Sequence, residues 1–396
     1  MLSFALCLGA VGARAQQPMP EAYYRLLAAL EGSNVELALS WADSCALLRP
    51  QRLPYLLGRG RAALLAGRCV EAVELFREVE RRRKGEGSLW LARCFASMGD
   101  TTASLNQLRV HLAGPVRAKE SDIVLDPYLR SLHTTDAWKN IWSTDYYTAV
   151  EHLAAQAEYL NHVGQHEEAL ELLNARLRGT GGRYALFALR ADAHLALGSL
   201  GAALADYRMA YRKSKQPRYL GQMAWALALR GQHQQALKQA HRAVQRSGGD
   251  PKLHLLRAQV LHHAGQKAQA LDDLSYFLGF YPVHERATEL LAESALAAGQ
   301  HVTALQALAK LIKLHPDSPR LRYMRGLVML RTEQHRLAIA DFDFAIQHDH
   351  QVASSYYNKG LAYRALGEHS QACTCLSVAA QRGSLEAQEL HFRHCR

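Results

Sequence analysis

"GQHEEAL" (Gly164–Leu170) returns as "GQHQQAL" (Gly231–Leu237) and again as "GQHVTAL" (Gly299–Leu305). Each copy places a histidine two residues after a glycine and an alanine five residues after it. Aligned on that glycine, the chain shows turn residues at Ser33, Gly67, Gly99, Gly164, Gly198, Gly231, Gly265, Gly299, Glu333 and Gly367. Successive spacings are 34, 32, 65, 34, 33, 34, 34, 34 and 34. A register kept over ten units is the mark of a repeat array, in which each unit buries its apolar face against its neighbours.

The units share one grammar. Seven residues before the turn stands a small residue, as at Gly60, Ala92, Ala157, Ala191, Ala224, Ala258, Ala292, Gly326 and Gly360; the first unit has Leu26. Five residues after the turn comes an alanine, or Ser104 in the third unit. Four residues further on a bulkier apolar side chain usually follows, such as Phe76, Leu173, Tyr207, Leu308 or Phe342. Those last two positions are i, i+4 neighbours on one helix face. Small residues on both helices let an antiparallel pair approach closely. Pro50, Pro282 and Pro316 close their units where a helix must stop.

This pattern resembles the tetratricopeptide repeat, with a small residue at position 8, alanine at 20, a large apolar residue at 24 and proline at 32. "YYNKGLAYRALGEHSQAC" (Tyr356–Cys373) and "PRLRYMRGLVMLRTEQHRLAIADFDFAI" (Pro319–Ile346) match it best. The resemblance implies an all-α, right-handed superhelical solenoid of about ten helix pairs. Its concave face would bind a peptide or partner protein. The spacing of 65 between Gly99 and Gly164 holds an insert, "GPVRAKESDIVLDPYLRSLHTTDAWKNIWSTDYY" (Gly114–Tyr147). Short helices are expected near Asp126 and Thr135, both plausible N-caps. The insert resembles those of tetratricopeptide proteins from Bacteroidetes-type bacteria. Trp138 and Trp142, at i, i+4, read as core, with an exposed aromatic patch as the alternative. The expected organisation is a block of three units over 16–112, the insert over 113–148, a block of seven units over 149–383 and a capping helix over 384–396. A solenoid needs such a polar cap, and Ser384 is its expected N-cap.

Residues 1–15 are of another kind. "LSFALCLGAVG" (Leu2–Gly12) is apolar but too short to span a bilayer. Ala13-Arg14-Ala15 then gives a small-x-small cleavage pattern, so the segment reads as a secretory signal peptide cut after Ala15. No Lys or Arg precedes the apolar run, and a buried helix is the alternative. Export to a bacterial periplasm or cell envelope is the corresponding expectation, with no transmembrane helix in the mature chain. Six cysteines would remain, Cys45, Cys69, Cys94, Cys373, Cys375 and Cys395. Endings with a late cysteine pair resemble those of exported bacterial tetratricopeptide proteins, which implies that Cys373 and Cys395 could staple the cap. Cys375 is about 200° around the helix from Cys373 and should not compete for that bond. Cys69 and Cys94 read as small core fillers.

Composition is globular: 396 residues, 49% hydrophobic and 21% charged, with a formal charge of +11. Most of the basic residues are scattered along helix faces. A second reading is nevertheless an electrostatic binder of an anionic surface or polymer, whether nucleic acid, anionic lipid or polysaccharide. An exported chain makes nucleic acid the weakest of these.

Twenty histidines invite a metal reading. His166, His233, His301, His335 and His369 all fall at repeat position 17, where other units place Val35, Cys69, Thr101, Leu200 and Lys267. A position that tolerates valine, cysteine and lysine is a packing position. Copies one repeat apart cannot share an ion at ligand distances of about 2 Å. "HDH" (His348–His350) and His262-His263 are pairs without a third ligand at useful spacing. No nucleophile elbow, phosphate loop or HExxH motif occurs, and Gly58 and Gly60 lie inside a helix with no strand before them. Neither catalysis, cofactor, metal nor small-molecule substrate is expected. The resemblance implies that positions 2, 5, 9 and 12 of each first helix face the groove. In the last two units this places Arg320, Tyr323, Tyr357 and Arg364 there, with Arg331 and Asn358 close by. Arginine and tyrosine dominate binding hot spots. The Lys/Asn carboxylate clamp of some family members is absent from the fourth and ninth units, where Ala154 and Glu158, and Tyr323 and Leu327, stand at its positions 5 and 9.

Overall fold

The computed structural model describes residues 21–48, 50–177 and 183–395, and the expected signal peptide lies outside them. Every regular element among the described residues is helical. Ten antiparallel hairpins follow one another. Repeat 1 is Glu21–Glu31 with Val35–Leu48, repeat 2 Leu53–Leu65 with Cys69–Arg82, and repeat 3 Ser88–Ser97 with Thr101–Ala113. After the insert come repeat 4 (Ala149–His162, His166–Leu177), repeat 5 (Tyr184–Ala196, Leu200–Ser214) and repeat 6 (Pro217–Leu229, His233–Ser247). Repeats 7 to 10 are Pro251–His263 with Lys267–Phe280, Glu285–Ala297 with His301–Leu314, Pro319–Arg331 with His335–Gln347, and Val352–Ala365 with His369–Gln381. Leu385–His394 closes the array, and the Ser384 hydroxyl caps it by accepting from the Ala387 amide.

The ten turn residues all have positive φ, from 52° at Ser33 to 84° at Gly164. In every hairpin the next residue's amide bonds back to the carbonyl five residues earlier: Gln165 to Leu160, Gln232 to Leu227, Gln334 to Met329 and so on. This left-handed C-terminal motif satisfies carbonyls that the helix end would orphan, and it turns the chain into the second helix. The recurrent histidines are the first residues of those second helices, so they start a helix rather than form the turn.

Small residues at position 8 are forced by contact. A Cβ on Gly60 would meet the Phe76 ring at 2.5 Å, and one on Gly326 would meet Phe342 at 2.9 Å. Each large residue at position 24 thus fills the gap left by the missing side chain of its own hairpin.

Two compact units divide between Leu253 and His254. The first contains repeats 1 to 6 and the insert. Within it the opening helix meets the end of repeat 6: Tyr24 Oη donates to the Ser247 carbonyl at 3.1 Å, and Lys252 pairs with Glu31 at 2.9 Å. Residue 148 is not a division between compact units. Thr148 caps the first helix of repeat 4 through a capping box with Glu151. The insert forms Glu120–Val124, a short 3-10 turn at Arg130–Leu132, and Asp136–Ile141. Thr135 caps the last of these, whereas Asp126 accepts from the Tyr128 amide and shapes a turn, not a helix. Trp138 and Ile141 join Leu105, Leu108 and Leu112 of repeat 3 in one buried cluster, so the tryptophan pair is core.

Charged clips add to this packing. Arg190 binds Asp206 through two hydrogen bonds of 2.7 and 2.8 Å, Arg257 binds Asp273 at 2.6 and 2.6 Å, and Arg325 binds Asp341 at 2.7 and 2.7 Å. Each joins the two helices of one hairpin, in repeats 5, 7 and 9. The carboxylates are buried, at 5%, 2% and 2% exposure. Bidentate pairing offsets the desolvation of a buried carboxylate. In repeat 10, Lys359 takes the arginine's place and reaches back to Asp343 of repeat 9.

Two outcomes follow for stability. Nothing lies within 4 Å of a Cβ built on Gly231, so Gly231→Ala costs only backbone strain, about 1 kcal/mol. Glu333, at φ 60°, already bears that strain, and Glu333→Gly should recover about 0.5 kcal/mol. Guanidinium unfolding midpoints moving in opposite directions for the two variants is the required result. The second concerns pH. Burial would raise the Asp273 carboxyl, but hydrogen bonds from His254 and Arg257 outweigh it and hold the group below its ordinary value. A depressed folded pKa stabilises above the ordinary carboxylate range, and that contribution fades as pH falls through the folded value. Asp273→Asn should therefore cost about 3 kcal/mol at pH 7 and show a shallower acid loss than wild type between pH 5 and 3. Parallel acid unfolding curves would refute the clip.

Candidate partner-binding groove

Helix Pro319–Arg331 begins at Ser318, whose hydroxyl accepts from the Leu321 amide, with a proline at the first helical position. That start fixes the helix phase and sets Arg320 and Tyr323 on one face. Together with Met324 and Arg331 they line a cleft of about 410 Å³. Its other walls are Glu293, Leu296 and Ala297 from repeat 8, Lys267 from repeat 7, and His350 and Gln351 before repeat 10.

The cleft's cations are not equivalent. Arg320 bridges to Glu289 at 3.4 Å and makes a short contact with Glu293, so repeat 8 has already neutralised it. Glu293 is shared with His262 Nε2 at 3.4 Å. Among the described residues neither Lys267 nor Arg331 has a carboxylate partner, and Arg331 is exposed. Tyr323 is half-buried between Phe342 and His350, with ring centroids at 5.9 and 5.8 Å. Asn358 Nδ2 donates to its hydroxyl at 3.4 Å. Burial raises the Tyr323 pKa, and hydrogen bonds from Ser354 and Asn358 do not cancel that rise. Burial, then the Arg320 charge, lowers His350, which leaves it neutral at pH 7. The arrangement suits an acidic segment with an apolar or aromatic neighbour. Behind Glu293, His262 Nδ1 also lies 3.1 Å from the hydroxyl of the buried Ser294.

Of the six expected residues, Arg320, Tyr323 and Arg331 come together, and Asn358 joins through Tyr323. Tyr357 instead packs on the cluster of Leu376, Ala379 and Ala387 beneath the capping helix. Arg364 is exposed and does not line the cleft. Glu293 and Lys267 were not anticipated. Their signal was available: Glu289 and Glu293 occupy positions 5 and 9 of repeat 8, next to a repeat with arginine at position 2.

The structure joins Cys373 and Cys395 by a disulfide that ties the last hairpin to the capping helix across 22 residues. Cys45, Cys69, Cys94 and Cys375 are free thiols, and burial pushes Cys94 up to about 12, far from a reactive thiolate. Among the described residues no group of three or more His, Cys, Asp or Glu side chains is placed to hold a metal ion. None of the described helices is long and apolar enough to cross a membrane.

Models of the tetratricopeptide repeat match residues 222–285, 264–319 and 289–347, with further matches at 354–382 and 150–175. A TPR repeat-containing thioredoxin of Arabidopsis thaliana is 31% identical over 90 residues, 23% of this chain. The match spans only 24% of that relative. Among solved structures, the C-terminal part of a TPR repeat-containing protein from Cytophaga hutchinsonii overlays 60% of this chain and 98% of its own, at 14% identity and TM-score 0.47. A tetratricopeptide repeat protein from Parabacteroides merdae overlays 62% and 99%, at 19% identity and TM-score 0.42.

The cap yields a prediction. Cys395→Ser should lower the stability of the last repeat by about 2–4 kcal/mol, as loss of a loop-closing disulfide does. The drop appears as earlier proteolytic release of the C-terminal peptide. A dithiothreitol-treated wild type should match the variant. Free thiols at both positions in non-reducing mass spectrometry would remove the basis for it.

Proposed function

This chain belongs to the tetratricopeptide repeat family, and from that premise we propose that it is a non-catalytic scaffold that docks an acidic segment of a partner protein in the cleft of repeats 7 to 10. Family membership supports a protein-interaction array. The observation that carries the finer reading is the pair of uncommitted cations, Lys267 and Arg331, flanking Tyr323 and Met324. Cations already paired within the fold contribute little attraction. Unpaired ones beside an aromatic floor supply both steering and a desolvated anchor.

Export to a bacterial cell envelope is part of the same reading. Its support is the apolar run Leu2–Gly12, the Ala13-Arg14-Ala15 cleavage pattern and the cysteine pair at the cap. The second reading, an electrostatic binder of an anionic surface or polymer, draws on the charge of +11. It requires binding that falls steeply with salt and little with any one side chain.

Affinity capture from a cell envelope separates the two. The double variant Lys267→Glu/Arg331→Glu should recover the wild-type partners at less than a tenth of their yield. Arg364→Glu, outside the cleft, should recover them in full. Equal recovery by all three proteins would sink the cleft, and equal losses for both variants would favour the diffuse electrostatic reading.

A further inference from the structure

Repeats 2 and 3 of the first compact unit carry arginines at equivalent places, Arg61 and Arg93, each six residues before its turn glycine. Both guanidinium groups lie over the Trp90 ring, at 5.1 and 4.1 Å from its centroid. Phe76 stacks on the same indole at 5.5 Å. Such rings hold a guanidinium in place by cation–π attraction.

Their ionic surroundings differ. Arg93 Nε donates to Asp126 Oδ2 at 2.5 Å, and both residues are buried. Arg61 has no carboxylate within 4.0 Å among the described residues. Glu31, which acts on Arg61 through charge, is engaged by Lys252. Burial holds the Arg61 pKa below the ordinary guanidinium value. A partly buried cation without a counter-charge lacks the compensation that its equivalent one repeat later has.

The insert shows what compensates Arg93. Asp126 supplies the carboxylate, and Tyr128, two residues on, packs on the cluster that includes Ala63, Phe76 and Cys94. The chain thus already binds an Asp-Pro-Tyr segment of its own at one half of the Trp90 platform. We propose that Arg61 and Trp90 form a second binding site, for an aspartate or glutamate in a turn-forming acidic-aromatic segment of a partner protein, docked as Asp126-Pro127-Tyr128 is on Arg93. One uncompensated guanidinium on an indole fits a singly charged carboxylate. A phosphate dianion would call for a second free cation, and Asp126 has neutralised Arg93, the cation that shares the indole.

The test uses the full chain and a fluorescein-labelled nonapeptide copying residues 122–130, followed by polarisation. Wild type should bind it saturably. Arg61→Gln should weaken binding at least tenfold, Arg61→Lys by an intermediate factor, and replacing the peptide's central Asp by Asn should match the Gln variant. Arg61→Glu should recover binding to a peptide with Lys at that place, which keeps the assignment testable if Arg61→Gln folds poorly. No binding by wild type, or undiminished binding by Arg61→Gln, would overturn the site. So would displacement of the peptide by inorganic phosphate.

Discussion

The left-handed residue that ends each first helix is the constraint on which the rest depends. In repeats 2 to 10 it holds the second helix antiparallel to the first at a separation that suits a glycine or alanine at position 8, whereas repeat 1 sets Leu26 there and the small Ala42 at position 24. Once that distance is set, position 24 must carry the side chain that fills the seam. Ser33 and Glu333 take the same backbone form as the eight glycines despite their Cβ atoms, so the tertiary packing over-determines the turn. A strained residue persists only where its surroundings pay for it.

Close hairpins have an electrostatic consequence. In repeats 5, 7 and 9, arginine precedes the small residue and aspartate precedes the bulky one, so both polar groups lie at the edge of the same seam. Repeats 6 and 8 place Met223 with Gln239 and Leu291 with Ala307 at those two positions. The clips therefore alternate with hairpins held without them. Breaking a buried bidentate pair strands a charge, which resists sliding of one helix along the other more strongly than apolar contact does. The insert serves a related purpose between repeats 3 and 4. Its apolar side extends the core of repeat 3, while Arg117 and Lys119 pair with Glu151 and Glu158 of repeat 4.

The turn positions, the small and bulky seam residues, the ten hairpins and the cap could be read from spacing, because each depends on contacts within about 34 residues of chain. The clips were equally present in "LRADAHLALGSLGAALADY" (Leu189–Tyr207) and its counterparts, but a reading of apolar periodicity passes over them. The groove was only half legible. That Arg320 is spent on Glu293 depends on the rotation between neighbouring repeats, which no single repeat encodes. Tyr357 also packs on the apolar cluster beneath the capping helix, a contact that its repeat position does not encode. The fold-back of Asp126 onto Arg93 joins residues from different kinds of segment, and no repeat register predicts it.

These pairings change what the net charge means. A sum of +11 treats every arginine alike. In the folded chain Arg93, Arg190, Arg257, Arg320 and Arg325 are committed to carboxylates and hold the architecture. Among the described residues Arg61, Lys267 and Arg331 have no carboxylate partner. On the proposed reading, attraction for an acidic partner would come from the second set, since a neutralised guanidinium presents little field beyond its own pair. Arg61 lies over the Trp90 ring, and Arg331 lines the same cleft as Tyr323, eight residues further along its helix. Exposed arginines such as Arg208 and Arg212 also lack an ion pair among the described residues, so what sets Arg61, Lys267 and Arg331 apart is the apolar wall beside each rather than the missing carboxylate alone.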